Sequence, residues 1–513
     1  MNIINFDLET TGFTNSIIVD YLNQSEKLNK FFAYQPNLDG LKRAAKERNN
    51  KKIDRPGLVK ELIRQLKCVN ISDTDLSQSI SNINSLLDEQ TFTITTGQQL
   101  HIYLGPAYFG NKIYELLRCC NNYNELVNGN KVVPVFWLAS EDHDIEEIKT
   151  LELFGKSMEC DIENKIAAGY INTKNIKPFT HSIEIALGDT ASKNHFFNVC
   201  KTAYKNNNKL AEATAAIIYS LFAKHGIIVI DANTPYFKKK FSYIAQEEIT
   251  QQSATKIQKE IKNQFFKNKW HYQLTPRTNN LFIIDKNGKR EECFDKIYDA
   301  EKNYSPNALL RPLFQEICLP NIAYIGGAAE VNYWLQLKPI FEHYKVFYPL
   351  IWVRNMITII QKKLWDKVTK LNIPMEKLFK IEKEQIITMY SENVLKYATI
   401  LASIKEIDFE IDSLKKVLSA EDYEEIKKTY DAFQTILKKN LRNSKNNVTS
   451  SIQFKHYKDE IAIIKSKLLS KSNLQERNSS LLTLSVNYDY FNILENWLSI
   501  TKAIQGKYAV IGK

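Results

Sequence analysis

Glycine and proline are scarce in the second half of the sequence. The chain has 16 glycines in 513 residues, and none lies between Gly327 and Gly506. After Pro349 the one proline is Pro374. Because these two residue types are the usual breakers of helices, their absence predicts that this stretch is mostly helical.

Other absences exclude whole classes of protein. Val132–Ala139 is among the longest apolar runs. It is far shorter than the ~18–20 residues that a membrane-spanning helix needs, which argues against an integral membrane protein. The segment Met1–Phe13 carries early acids and no basic region, which argues against a signal peptide. The cysteines form no CxxC pair and are odd in number, which predicts reduced thiols in a cytoplasmic protein. They are Cys68, Cys119, Cys120, Cys160, Cys200, Cys293 and Cys318.

The net charge of +11, from 69 Lys and Arg against 58 Asp and Glu, is a mild excess for this length. In residues 361–470 the two signs are well mixed, which is typical of a solvated helical surface. Nucleic-acid binding would need the excess focused on one face with interleaved aromatic residues. We therefore expect neither a nucleic-acid nor a membrane partner.

The chain is too long for one core, since single cores stop growing near ~250–300 residues. Its first part alternates apolar, β-branched runs with helical patterns, which predicts a doubly wound α/β core with a parallel sheet. Ligands of such sheets bind at the carboxyl ends of the strands, near the point where strand order reverses. The intervals 149–210 and 240–305 are predicted to be insertions. The predicted strands are Thr91–Thr96, Val132–Ala139, Ile227–Asp231, Leu281–Asp285 and Ile322–Ile325.

From about Met375 to Lys471, apolar residues recur at heptad spacing. The pattern predicts three helices with breaks at 419–422 and 440–451. Charged outer faces and narrow seams favour a projecting coiled-coil arm over a plain bundle packed on the core. A projecting seam predicts a partner, most simply a second copy of the chain. The predicted domains are the α/β core 1–374, the arm 375–471 and a C-terminal helix 472–513 that returns to the core.

The densest polar cluster follows the predicted strand 132–139. Residues 140–147, SEDHDIEE, bring five carboxylates and one imidazole to a strand's carboxyl end. Carboxylates at that density repel one another unless cations, Mg²⁺ or arginines compensate, which favours a ligand site. For Glu146 and Glu147, a solvated helix N-terminus explains the acids equally well. A zinc site is less favoured, because no second His or Cys cluster has ligand spacing.

Two further segments have ligand-binding features. Gly97 follows a strand and permits close approach to the backbone, and Lys112 lies early in the next predicted helix, where phosphate is favoured. The P-loop pattern is absent, so a tight turn is the alternative. Later, Gly326-Gly327 follows a strand and precedes polar side chains, although these could be incidental to a strand–turn–helix. The segment Gln475–Arg477 either returns to the core or caps a helix.

These motifs occur in an order that closely resembles the cysteine ligase family of bacillithiol biosynthesis. They are TGQQ, GPAY with Lys112, PVFWLASEDHDIEE, NALLRPLFQE, LPNIAYIGG with E·NYW, and LQER. The resemblance covers nearly the whole chain, and WLASEDHD is its most specific part. It implies a Rossmann-like core similar to class I aminoacyl-tRNA synthetases and to the mycothiol cysteine ligase. It also implies two connecting-peptide insertions, a coiled-coil dimerisation domain and adenine-nucleotide (ATP/ADP) binding.

The family is thought to join L-cysteine to the sugar amine of glucosaminyl-malate. With this reaction, Glu141–Asp144 would bind an amine, a hydroxyl or Mg²⁺, and His143 or an acid would take the amine proton. The expected catalytic residues are Glu141, Asp142, His143 and Asp144. The expected nucleotide contacts are Thr96, Gly97, Gln98, Gln99, Tyr108, Lys112, Gly326 and Gly327. The expected substrate contacts are Trp137, Arg311, Gln315, Glu316, Glu330, Asn332 and Tyr333, with Arg311 binding a carboxylate such as the malyl group.

The chain departs from the family pattern at two turns. It has Ala107 where a bulkier residue is common, and GGAAE at 326–330 where a GGPGE-like turn is usual, which changes the backbone options there. No HIGH-type signature is present, and the KMSKS-like segment 467–472 is interpreted as helix surface. Activation of cysteine as an adenylate or as an acyl phosphate stays open. The competing functions are a metal-dependent hydrolase or nucleotidyltransferase and a non-enzymatic dimeric scaffold.

Overall fold

The protein divides into two compact units. Unit 1 comprises residues 1–362 and 473–513, and unit 2 comprises residues 363–472. The computed structural model describes residues 2–48, 53–71, 74–162, 166–274, 277, 280–371, 373–380, 385–386, 389–390, 397–449, 452–470, 473–502 and 504–512.

The strands are short, and all but one belong to unit 1. They are β1 (Asn2–Asp7), β2 (Thr91–Gln98), β3 (Lys131–Leu138), β4 (Thr150–Leu153), β5 (Lys156–Glu159), β6 (Ile228–Asp231), β7 (Leu281–Ile284), β8 (Arg290–Glu292), β9 (Tyr304–Pro306), β10 (Asn321–Gly326), β11 (Leu350–Val353), β12 (Met356–Ile360), β13 (Leu469–Ser470, in unit 2), β14 (Asn473–Leu474) and β15 (Lys507–Gly512).

The central sheet is parallel and has the order β11-β10-β2-β3-β6. Counted along the chain within this sheet, the strand order is 3-2-1-4-5, so the direction of winding reverses between β2 and β10. The strands are almost wholly buried, in agreement with a sheet covered on both faces. The predicted α/β class with a Rossmann-like parallel sheet is confirmed, and its switch point lies between the carboxyl ends of β2 and β10.

The helices of unit 1 cover both faces of this sheet and build the regions between its strands. The α-helices are Leu8–Thr11, Ser16–Leu22, Leu38–Arg48, Arg55–Cys68, Ser77–Ser85, Tyr108–Leu126, Ile145–Ile148, Lys177–Leu187, Thr190–Lys193, His195–Asn206, Leu210–Phe222, Pro235–Gln251, Ser253–Lys267, Arg311–Cys318, Ala328–Leu335, Lys338–His343, Gln475–Asn478, Leu481–Tyr488 and Tyr490–Ile500. Single 3₁₀ turns span Glu26–Leu28, Ile102–Leu104, Ala168–Tyr170, Thr173–Asn175 and Ala223–His225.

The helix Tyr108–Leu126 is the one that matters most for the site. It follows β2 in the first β–α unit, and nearly all of its first three turns are buried. Phe109 stacks on Phe136 of β3 at 5.1 Å between ring centroids. Deeper in the helix, the buried Glu115 and Arg118 form an ion pair of 2.7 Å, and Trp352 donates to the same carboxylate at 2.9 Å. A rigid, fully packed helix therefore presents Lys112 to the switch point.

Two parts of unit 1 differ from the sequence prediction. The predicted strand 281–285 is not in the central sheet, because β7 pairs with β8 and β9 in a small antiparallel sheet. Its apolar residues are buried there, so hydrophobicity alone could not assign the sheet. The end of the predicted C-terminal helix is a strand, β15, which lies between β1 and β12 in a three-stranded sheet.

Unit 2 consists mainly of helices. Its predicted break at 440–451 is helical as far as Thr449, and residues 450–451 lie outside the described ones. Of the predicted seam, Ile461 and Ile464 are fully buried, whereas Ile407 and Phe433 are 45% and 55% exposed. The helices are Lys362–Leu371, which begins at the unit boundary, Lys377–Lys380, Tyr397–Ser413, Ala420–Thr449 and Ile452–Leu468, with a 3₁₀ turn at Leu414–Lys416. In the described part of the chain, no helix is long and apolar enough to cross a membrane.

Candidate active site

A cavity of about 710 Å³ opens at the carboxyl ends of β2, β3 and β10. It lies at the switch point, where doubly wound sheets bind their ligands. Its lining residues are Gly97, Gln98, Gln99, Tyr108, Lys112, Trp137, Leu138, Ala139, Ser140, Glu141, Asp142, His143, Glu147, Ala232, Gln273, Leu274, Arg277, Phe282, Arg290, Pro306, Asn307, Ala308, Leu309, Arg311, Tyr324, Gly327, Ala329, Glu330, Tyr333, Arg354 and Arg477.

Lys112 is held between the ends of two strands. Its side chain is only 3% exposed, and Nζ donates to the Gly97 carbonyl at 3.0 Å and to Gln98 Oε1 at 2.6 Å. The third partner is the Glu330 carboxylate, 2.6 Å from Nζ. Burial lowers the pKa of Lys112, and Glu330 opposes that effect. Because three acceptors occupy the three donors of the ammonium, Lys112 organises the strand ends, and a phosphate could contact it only by displacing one of them.

Glu330 joins β10 to this ammonium. Besides Lys112, it accepts hydrogen bonds from the Tyr324 hydroxyl at 2.7 Å and from the Gly327 backbone N–H at 2.9 Å. Burial favours a raised pKa for Glu330, but the Lys112 ammonium and these donors outweigh it and lower the pKa. The carboxylate is therefore ionised, and it fixes the turn that starts the helix Ala328–Leu335.

Gly97 is required by the close approach of β2 to β3. A Cβ on this residue would lie 2.9 Å from the carbonyl oxygen of Trp137, its pairing partner on β3. That distance is shorter than a Cβ can tolerate without displacing one strand. The glycine therefore keeps the two strand ends together below the cavity.

Arginines line one side of the cavity. Arg311 donates to Gln315 Oε1 at 3.1 Å and to the Tyr333 hydroxyl at 3.5 Å. Among the described residues, no carboxylate lies within ion-pair distance of Arg311 or of Arg477. Arg354, by contrast, makes a bidentate pair with the buried Glu476, at 2.9 and 2.7 Å. The cavity thus has two guanidinium groups available for an anionic ligand.

The acidic segment also lines the cavity, and Glu141 and Asp142 each have a partner. Glu141 pairs with Lys238, which also donates to the Tyr304 carbonyl at 2.8 Å. Asp142 Oδ1 accepts from the His143 backbone N–H at 2.7 Å, and its Oδ2 accepts from the Gln99 amide at 2.9 Å. The segment is therefore structured, and hydrogen bonds together with the ion pairs of Glu141 with Lys238 and of Glu146 with Lys149 offset the repulsion between carboxylates.

Ser140 and Asp231 anchor this loop to the sheet. The Ser140 hydroxyl donates to Asp231 Oδ1 at 2.5 Å, at the carboxyl end of β6. Burial raises the pKa of Asp231, and the Ser140 bond partly offsets that rise. Glu147 also lines the cavity, and burial raises its pKa while the Gln99 amide lowers it.

Thirteen of the residues expected from the sequence line this one cavity, and six lie just outside it. Thr96 donates to the Ile325 carbonyl across β2 and β10 at 2.8 Å, and Gly326 pairs with Val353 on β11. Asp144 caps the helix Ile145–Ile148. Gln315 accepts from Arg311 and donates to Glu316, which also accepts from Asn321. Asn332 donates to the His271 carbonyl and accepts from Gln336. All of the assigned roles remain predictions.

Several charged residues of the cavity were missed by the sequence analysis. Arg354 directly follows β11. Because ligands bind at the carboxyl ends of parallel strands, a prediction of this four-residue strand would also have placed Arg354 at the site. Arg290 lies on β8 of the antiparallel sheet, where nothing in the sequence signals its direction. Arg477 was noticed as part of LQER, and the structure places it at the cavity.

The arrangement does not fit a metal site made by the protein alone. Among the described residues, no group of three or more His, Cys, Asp or Glu side chains could hold a metal ion. Mg²⁺ can instead be carried by the phosphates of a nucleotide with one or two protein carboxylates.

Comparison with known proteins agrees with the family recognised from the motifs. The family model described as "Bacillithiol biosynthesis BshC, N-terminal Rossmann-like domain" matches residues 1–301 and 289–355. Among curated relatives named "Putative cysteine ligase BshC", one from Cytophaga hutchinsonii is 30% identical over 94% of this chain and 95% of its own length. One from Flavobacterium psychrophilum is 32% identical, covering 78% and 79% of the two chains, and one from Flavobacterium johnsoniae is 29% identical, covering 92% of each. The chain belongs to the BshC family of bacillithiol biosynthesis, and these three relatives are named as putative cysteine ligases.

Proposed function

We propose that this protein is a cytoplasmic ligase that joins the carboxylate of L-cysteine to the amine of glucosaminyl-malate, as the last step of bacillithiol biosynthesis. Family membership supports the reaction class. The observation that carries the proposal to this site is that one cavity is lined both by Arg311 and Arg477, its arginine side, and by the carboxylates of the acidic segment, its acidic side. An amide ligase needs both, because it binds carboxylate and phosphate groups together with an amine.

The arginine side suits the anionic parts of the substrates. Arg311, with no acid partner among the described residues, would bind the malyl carboxylate through its paired N–H donors. ATP, which supplies the activation of the cysteine carboxylate, would be held by Gly97, Gly327 and Arg477. The backbone approach at Gly97 and the helix N-terminus after Gly327 are the features that favour phosphate there.

The acidic side suits the amine. An amine attacks an activated carboxyl group only when it is neutral, so the site must bind it and remove a proton. Asp142 and Glu147 line the cavity and provide carboxylates for both purposes. Glu141 is already paired with Lys238, so we do not assign it to the amine.

The direct test is a reconstituted reaction. Purified protein is incubated with L-cysteine, glucosaminyl-malate, ATP and Mg²⁺, and bacillithiol, AMP and ADP are measured by mass spectrometry. Cysteine-dependent release of AMP would indicate an adenylate, and release of ADP an acyl phosphate. Formation of bacillithiol with neither nucleotide product would refute ATP activation. No amide under any condition, with no accumulation of glucosaminyl-malate in a deletion strain, would refute the function.

A charge-matched pair of variants tests the place of the malyl group. Arg311→Met removes a cavity guanidinium, and we expect KM for glucosaminyl-malate to rise at least ~10-fold, since bonds to a charged group contribute about 1.5–3 kcal/mol. Arg43→Met removes an exposed arginine elsewhere in unit 1 and serves as the control. An unchanged KM in Arg311→Met would place the carboxylate elsewhere.

We also propose that the helices of unit 2 form a coiled coil that makes the protein a homodimer. The helix Ala420–Thr449 leaves Phe433 and Ile436 55% and 60% exposed. Because the two are three residues apart, they lie on one face of the helix, and adjacent exposed apolar side chains mark a surface for a partner. Light scattering of Phe433→Glu should show a monomer, and Ala432→Glu, which adds the same charge one position away, should stay dimeric. A wild-type monomer at micromolar concentration would contradict this proposal.

A further inference from the structure

Arg290 contacts the imidazole of the acidic segment directly. Its Nη1 lies 2.8 Å from His143 Nδ1. Arg290 is itself fixed, since Nε donates to the Ser305 hydroxyl at 3.1 Å and Nη2 to the Pro306 carbonyl at 2.9 Å. Its guanidinium also stacks over the ring of Phe282 at 4.0 Å. The small antiparallel sheet β8-β7-β9 therefore aims one guanidinium N–H at one nitrogen of His143.

This contact determines which nitrogen of His143 carries the proton. A guanidinium has only N–H donors and remains protonated in proteins, so the nitrogen that faces it must be the acceptor. Neutral imidazole has one donor and one acceptor nitrogen. With Nδ1 accepting from Arg290, the hydrogen of neutral His143 is on Nε2.

A second proton on His143 is disfavoured by the same contact. It would have to be placed on Nδ1, against the Arg290 guanidinium. Burial and then the Arg290 charge lower the pKa of His143. The carboxylates of Asp142 and Asp144 oppose this effect, and Arg277 adds to it. At neutral pH, His143 thus has a donor at Nε2 and no free lone pair with which to act as a base.

The amine proton must then pass to a carboxylate. Three of the cavity carboxylates are already engaged, because Glu141 pairs with Lys238, Asp142 accepts three N–H bonds and Glu330 pairs with Lys112. Glu147 has the Gln99 amide beside it, with Asp142, Asp144 and Lys112 as the charged groups that face it. Burial also raises its pKa, which makes it a stronger base than an ordinary carboxylate.

We propose that Arg290 is a positioning residue that fixes His143 as a hydrogen-bond donor, and that Glu147 is the base that accepts the amine proton. The inference rests on the proposed ligase reaction. The amine nitrogen forms a bond to the acyl carbon of activated cysteine, an adenylate or acyl phosphate. The bond from that carbon to the phosphate oxygen breaks, and the phosphate leaves with the electron pair. One amine proton moves to Glu147, while His143 Nε2 donates a hydrogen bond to an oxygen that gains negative charge.

The tautomer can be measured without any activity. Nitrogen-15 NMR of protein labelled at histidine distinguishes the two neutral forms, and the signals of His143 are those missing from His143→Gln. We expect the Nε2–H form in the wild type and in Arg277→Met, which removes an equal charge from the same cavity. Arg290→Met should show a mixture of tautomers or a higher His143 pKa. A wild-type Nδ1–H form, or an Arg290→Met spectrum equal to wild type, would overturn the assignment.

Kinetics separate the donor from the base. His143→Gln keeps an amide N–H near the position of Nε2 but cannot accept a proton, so its rate of amide formation should fall by no more than ~10-fold. Glu147→Gln should lose about 10²–10⁴-fold, the usual contribution of a general base. Glu146→Gln, at the neighbouring acid that pairs with Lys149, is the matched control. The acid limb of the pH profile of kcat/KM should disappear in Glu147→Gln alone.

The opposite ranking would refute the division of roles. A loss of 10²–10⁴-fold in His143→Gln with near-normal rates in Glu147→Gln would make His143 the base. If the wild type forms no amide at all, the proposed function fails, and the nitrogen spectra still decide the tautomer. The two failures are therefore distinguishable.

Discussion

Replacing Glu476 by glutamine would leave the buried Arg354 guanidinium without the carboxylate that pairs with it. The two side chains are 0% and 3% exposed and form a bidentate pair. Glu476 also accepts from the Asn111 amide at 2.8 Å and from the Ile357 backbone N–H at 3.1 Å. A glutamine retains one acceptor oxygen for the donors of Arg354, Asn111 and Ile357. Its NH₂ group cannot accept, so it would face some of these N–H donors without forming a hydrogen bond. Breaking a buried pair by removing one partner costs about 3–5 kcal/mol, and we expect a loss of this size in the free energy of unfolding of unit 1.

The assay is urea denaturation of the full-length protein, followed by tryptophan fluorescence. The control is the double variant Arg354→Met/Glu476→Leu, which removes both charges and fills the space with apolar groups. Because the penalty arises from the unpaired charge, the double variant should be more stable than Glu476→Gln. A loss below ~1 kcal/mol in Glu476→Gln, which is the size expected of an exposed pair, would refute the reasoning. So would a double variant less stable than the single one.

Three further predictions follow from buried groups. Burial raises the pKa of Glu316 from 4.5 to about 7; the folded state then binds more protons than the unfolded state between these values, so stability falls as pH rises through that window. Glu316→Gln should remove this slope in denaturation curves measured across it, and an unchanged slope would contradict the assignment. Gly97→Ala should raise KM for ATP and cost about 1–3 kcal/mol, because its Cβ meets the Trp137 carbonyl; wild-type values of both would contradict it. Native alkylation should modify Cys68 alone, since the other six thiols are buried, and mass spectrometry showing two or more adducts would disprove it.

The sequence predicted the parallel sheet well where strands were long and apolar. Val132–Ala139 and Thr91–Thr96 became β3 and β2, because runs of this length bury both faces. The strands β11, β1 and β15 were missed, since they pair with strands distant in sequence and only the fold brings these partners together. The run at 281–284 was recognised as a strand but assigned to the wrong sheet for the same reason.

The site was predictable to a similar extent. The family motifs, together with the rule that ligands bind at the carboxyl ends of parallel strands, led to Gly97, Asp142 and Glu330. These ends meet at one edge of the sheet. Arg290 could not be found this way, since it reaches the cavity from β8 of the antiparallel sheet, and the placement of that sheet beside the acidic segment depends on tertiary packing. Lys112 was found, but its three buried acceptors, which decide its role, come from separate segments of the chain.

Unit 1 is assembled from two stretches of chain separated by the 110 residues of unit 2. During synthesis, the ribosome therefore completes β2, β3 and β10 and then all of unit 2 before Glu476 and Arg477 emerge. Until that moment Arg354 lacks the carboxylate of its bidentate pair, and β12 has no β15 to pair with. A nascent chain that has passed residue 362 thus holds an unfinished cavity with an unpaired arginine and an open sheet edge. Such an edge can pair with other chains, which makes this interval the one in which chaperones would be needed most.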